Sequence, residues 1–110
     1  MTLVEAQQEF DNKKKKIMDK YNKYVNRIKE IEQEILSLPQ KILTNTIDWI
    51  NEKRAKLERK LLELKQAIQD WIMKKLQQLQ DWINKLLDNI KRFIQKQLER
   101  LANAILGWLD

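Results

Sequence analysis

QDWIMKKLQQL, residues 69–79, is followed at once by QDWINKLLDNI, residues 80–90, so that Asp70-Trp71-Ile72 returns eleven residues later as Asp81-Trp82-Ile83. Eleven residues in three turns is about 3.67 per turn, close to the 3.6 of an α-helix, so side chains at that spacing keep one face of a nearly straight helix. The repeat extends in both directions. From Ile47 the chain can be written in elevens, with Ile50, Leu61, Ile72, Ile83, Ile94 and Ile105 in the fourth place and Leu57, Ile68, Leu79, Ile90 and Leu101 in the eleventh. The third place carries Trp49, Trp71, Trp82 and Phe93, and the eighth becomes Leu76, Leu87 and Leu98. These places, with the seventh, span an arc of about 140° on a helix, wider than a two-stranded seam requires.

The stripe is graded. Lys53, Arg54, Lys60 and Lys65 interrupt it early, and it is nearly continuous after Trp82. The spacing therefore predicts one amphipathic helix over residues 47–110, ending near Leu106 where Gly107 can adopt the left-handed conformation that closes a helix.

Upstream the period changes. Leu3, Phe10, Ile17, Tyr24, Ile31 and Leu38 lie seven apart, with Tyr21, Ile28 and Ile35 between them. This is a heptad, the pattern of a packed helical seam, and it predicts a first helix within residues 1–38. Gln7 and Lys14 occupy core places of the heptad upstream and predict a looser, wetter seam there. Pro39 disfavours helix in the residue before it and cannot donate a helical hydrogen bond, so residues 39–46 are read as a break, with Thr44, Asn45 or Thr46 as caps for the second helix.

Composition agrees with an all-α fold. The 110 residues include one Gly and one Pro, too few to punctuate a β or α/β chain. The expected architecture is two long amphipathic helices, the heptad helix and then the eleven-residue-repeat helix, as an antiparallel hairpin or a kinked rod in a coiled-coil or helical-bundle assembly. A first helix of about 35 residues spans roughly 50 Å and a second of about 60 roughly 90 Å, so a hairpin would leave roughly 40 Å of the second uncovered.

Function classes narrow by what is missing. With no Cys and no His, the chain lacks thiolates, the commonest general base and the commonest neutral metal ligand. Glu30 and Glu34 share a helix face, but without further acids converging on them they are read as a solvated flank. No catalytic residue, metal site or cofactor is expected, and the chain is read as non-enzymatic. No apolar run reaches the roughly 18 residues of a spanning helix, and the start lacks the basic flank and apolar core of a signal peptide. A place inside the cell or within an assembly is favoured on that reading.

The net charge of +6 is spread thin: residues 1–38 carry eight basic and seven acidic groups, residues 39–110 fourteen and nine. Nucleic-acid binding is therefore not the expected role. Lys13 to Lys16 form the only charge run, and four successive helical residues point in four directions, so it is read as a solvated face. Glu9 with Lys13, Asp11 with Lys15, Asp70 with Lys74 and Asp81 with Lys85 stand four apart, the spacing of small helix-stabilising ion pairs.

The expected interaction surface is thus the two apolar stripes: Ile17, Tyr21, Tyr24, Ile28, Ile31 and Ile35 on the first helix, and Trp71, Ile72, Leu76, Trp82, Ile83, Leu87, Ile90, Phe93, Ile94, Leu98 and Leu101 on the second. A structural or scaffolding protein that buries them against copies of itself or a helical partner is the first functional expectation. The second is a peripheral protein at an anionic membrane surface, since Trp71 and Trp82 sit at the edge of the apolar arc where an indole suits an interface. In periodicity alone, residues 47–110 resemble the repeats of exchangeable apolipoproteins and lipid-droplet coat proteins, and that resemblance implies lipid-surface binding.

Overall fold

The structure, a computed structural model, describes residues 1–38 and 47–109. The expected break over 39–46 and its caps lie outside the described residues. Within them the protein is all-helical, with α1 at Leu3–Leu36, α2 at Ile47–Asn84 and α3 at Asp88–Leu109. Thr2 caps α1, its hydroxyl accepting from the Glu5 N–H at 3.2 Å. The helix closes just before the proline, with the Ser37 N–H donating to the Gln33 carbonyl at 2.9 Å and the Ser37 hydroxyl to the Glu34 carbonyl at 2.8 Å.

The single second helix expected from the repeat is two helices. The chain leaves α2 at Asn84, turns through Lys85-Leu86-Leu87 and runs back as α3. A continuous helix would leave its strongest stripe in water, and folding back lets the later half of that stripe cover the middle of it. Leu87 becomes the cap of α3, its carbonyl accepting from the Lys91 N–H at 2.8 Å. Gly107 also departs from expectation: it lies within α3, no glycine has a positive φ, and the helix continues to Leu109. Trp108 sits there edge-on to Tyr21, ring centroids 6.0 Å apart.

Pairings between side chains fix the topology. Phe10 meets Trp82, Tyr24 meets Trp71 and Lys65 approaches Glu32, so α1 and α2 are antiparallel. Gln80 and Gln95 exchange two side-chain hydrogen bonds of 2.8 and 3.1 Å, so α3 returns antiparallel to α2. The outline is 68 × 17 × 17 Å. Because Trp108 reaches only the level of Lys29, Glu32, Lys65 and Gln69, the molecule has a three-helix end and, beyond that level, an arm of two helices.

All three helices bury the same rhythm of steps of four and seven. It runs Ala6, Phe10, Ile17, Tyr21 and Ile28 on α1; Ile68, Ile72, Leu79 and Ile83 on α2; Ile90, Ile94, Leu101 and Ile105 on α3. On α1 the two patterns part at both ends: Ala6 is fully buried while Leu3 is exposed and Tyr24 only partly buried, against the heptad, whereas Ile31 is fully buried at its heptad place. Its partners carry an eleven-residue stripe, and a helix lying straight along them presents its side chains at the same period. Lys14 is exposed, and Gln7 is partly buried with its Nε2 donating to Asp11 at 2.7 Å and its Oε1 buried without a partner.

Candidate functional site: a basic, tryptophan-walled groove

Most of the expected interaction surface is enclosed by the chain itself. Ile17, Tyr21, Ile28, Ile72, Ile83, Ile90, Ile94, Leu98 and Leu101 belong to one buried cluster, with Tyr24, Trp71, Leu76 and Trp82 partly buried against it. Ile31 is buried and Ile35 partly so, while Leu87 and Phe93 face solvent. What stays accessible is the edge of the stripe, and there the fold joins two features that are far apart in sequence.

On α1, Lys13, Lys16 and Lys20 succeed one another at steps of three and four, which places them along one line of the helix. On α2, Trp71 and Trp82 stand three turns apart. The antiparallel register lays the two lines side by side. Lys13 Nζ lies 5.3 Å from the centroid of the Trp82 ring and Lys20 Nζ 5.1 Å from that of Trp71, both within cation–π reach. Phe10 stacks on Trp82 at 6.5 Å with the planes 18° apart, and Tyr24 meets Trp71 at 6.1 Å. Each indole is thus held by one aromatic and one lysine from α1.

Between these rungs lies a groove of about 340 Å³, lined by Ile17 and Leu79, the two indoles, Gln78, and Lys13, Lys16, Lys20 and Lys75. No carboxylate lines it. Among the described residues Lys13 pairs with Glu9 at 3.9 Å, both side chains about two-fifths exposed, and such a pair is weak in water. Lys75 donates to Gln78 at 3.2 Å, and neither Lys16 nor Lys20 has a carboxylate within ion-pair distance among the described residues. The groove is a cationic rim over an apolar floor.

The Lys13–Lys16 run, expected as a solvated face, therefore contributes two of its four members to this groove. Sequence spacing alone could not show it, because the register between α1 and α2 sets it. Of the expected i to i+4 ion pairs Glu9–Lys13 forms; the other three are otherwise arranged, with Asp70 and Asp81 accepting from Gln66 and Gln77 at 3.1 and 3.0 Å and Asp11 from Gln7, so glutamine amides stand where lysines were expected.

Burial raises the Tyr21 phenol above its ordinary value. Among the described residues no three acidic side chains gather as they would around a metal ion, and no helix is long and apolar enough to cross a membrane. The chain matches no protein-family model, and neither a curated protein nor a solved structure is similar to it.

Proposed function

We propose that the chain is a non-enzymatic structural or scaffolding protein that self-assembles or binds a helical partner through its helix faces. The arm carries this reading. There the apolar stripe has two helices where the other end has three, and Leu36, Trp49 and Leu62 are 67, 59 and 69% exposed. The stripe has no third helix over it there, and a helix of a partner is what would cover its remaining apolar surface. Light scattering tests the reading: the parent should weigh more than the 13.4 kDa of one chain at micromolar concentration, and Trp49→Lys with Leu62→Lys should reduce that mass. A parent that stays at one chain mass throughout would end the self-assembly reading.

A second reading has its own support in the groove. Lysines rimming two indoles suit an anionic lipid surface, where the cations meet headgroups and the rings the interface. Nucleic acid is the poorer fit, since a base would need an open indole face and each ring is already flanked from α1. Circular dichroism and tryptophan emission with and without anionic vesicles separate the two readings. A chain that gains its helix only on vesicles contradicts the scaffold; one that is helical, oligomeric and indifferent to vesicles contradicts the lipid surface.

A further inference from the structure

The turn between α2 and α3 lacks what a permanent turn has. Lys85, Leu86 and Leu87 include no Gly or Pro, and no described residue has a positive φ. Two of the turn's amides reach back three residues, Lys85 to the Trp82 carbonyl at 3.1 Å and Leu86 to the Ile83 carbonyl at 3.0 Å, a tightened last turn of α2 that needs no backbone conformation foreign to a helix. The buried rhythm also passes through the turn without a change of phase, since Leu79, Ile83, Ile90 and Ile94 keep steps of four, seven and four. A turn that evolved only as a turn has no reason to preserve helical phase.

Leu87 shows the same from the other side. At 71% exposure it is the most exposed large apolar side chain among the described residues. It holds the eighth place of the repeat, the place of Leu76 and Leu98, and Leu98 is buried. On an unbroken helix Leu87 would share a face with Ile83, Ile90 and Ile94, at offsets of four, three and seven residues.

We propose that α3 is exchanged between two copies of this chain. The turn straightens, α2 and α3 become one helix from Ile47 to Leu109, and the α3 of each copy lies in the groove between α1 and α2 of the other. Every contact of α3 is reformed there, including the reciprocal Gln80–Gln95 pair, now between chains. Leu87 returns to the stripe where the two long helices cross. Exchange of an identical element is a low-cost route to a symmetric dimer because the interface already exists within the monomer. The inference rests on the self-assembly reading and deepens it by naming the partner, a second copy, and by placing a contact between copies at α3 in addition to the arm.

The chain has no native cysteine, so Gln80→Cys with Gln95→Cys places one thiol on each side of the α2–α3 contact, to be bridged by a short bis-maleimide. The protein is equilibrated over a range of concentrations, weighed by light scattering, cross-linked and denatured. Exchange predicts a species of twice the chain mass whose cross-links join two chains. Leu87→Lys should leave the monomer's helicity and thermal midpoint unchanged, because that side chain is in water there, yet lower the dimerisation constant at least tenfold. Asp88→Pro should do the same, since proline is accepted in the first turn of α3 but not inside a continuous helix. Oligomers whose cross-links stay within single chains would overturn the exchange and leave self-assembly standing through another surface. A monomer at every concentration, cross-linked only within itself, would overturn both.

Discussion

Ile72 and Leu61 hold the same place in successive units of the repeat, yet Ile72 is fully buried and Leu61 only partly. Ile68 and Leu57 repeat the contrast one place along, as do the tryptophans. Trp71 and Trp82 are each held by an aromatic and a lysine of α1, whereas Trp49 is 59% exposed and the cation over its ring, Lys53, comes from its own helix. The fourth place is not uniformly wet in the arm, since Ile50 is buried. Periodicity therefore decides which way a side chain points, and the number of neighbouring helices decides how much that is worth. The three-helix end therefore holds most of the buried core, whereas in the arm the places of the stripe are less fully covered.

The strongest way to break this contrast is to remove α3. A chain ending at Asn84 loses Ile90, Ile94, Leu98, Leu101 and Ile105 from the core and exposes Ile68, Ile72, Leu79 and Ile83. At about 1.5–3 kcal/mol for each large apolar side chain, that loss rivals the whole stability of a small domain, about 5–15 kcal/mol. The cooperative thermal transition seen by circular dichroism should disappear at the parent's midpoint; its survival there would place the stable unit in the arm.

A pair of single truncations sharpens the same comparison. Ile72→Ala should cost about 2–5 kcal/mol, as buried truncations do, and lower the thermal midpoint by at least about 8 °C. Leu61→Ala, in the equivalent place, should cost about 1 kcal/mol because part of its surface is already in water. Equal shifts in the two variants would mean that the arm is as well covered as the three-helix end.

The smallest effect concerns Tyr21, which lies where α3 ends against α1. Its phenol titrates higher in the folded protein than in the unfolded chain. The stability this contributes is complete below the unfolded value of about 10 and is lost as pH rises through the folded one, because the unfolded chain releases its proton first. Chemical denaturation should therefore show a decline above about pH 10 that is shallower in Tyr21→Phe. Identical slopes in the two proteins would mean that the ring is solvated and α3 does not seal that end.

Much of the architecture was legible in the chain. The scarcity of Gly and Pro pointed to helices, and the eleven-residue spacing marked the face of α2 and α3 down to individual residues such as Ile83 and Ile94. The reversal at Lys85-Leu86-Leu87 was not legible, because phase says nothing of direction and two leucines at the turn read as more stripe. On α1 the heptad and the eleven-residue pattern coincide at Phe10, Ile17, Tyr21 and Ile28; Leu3, Ala6 and Tyr24 follow the eleven-residue pattern, whereas Ile31 is buried where the heptad places it. An alanine is too weak a signal to tell the two apart from sequence. The groove was invisible for another reason: Lys13 and Trp82 are sixty-nine residues apart, and only the hairpin register joins them.

The slender outline of the molecule bears on how any association must be measured. Its radius of gyration is 20.0 Å, against about 13 Å for a compact chain of this length. Such a rod drags like a much larger sphere and tumbles faster about its long axis than across it. On a gel-filtration column calibrated with globular standards, one chain would emerge early enough to be taken for two. Retention time therefore reports shape here before it reports stoichiometry, and copies of this chain have to be weighed by a method that is indifferent to friction.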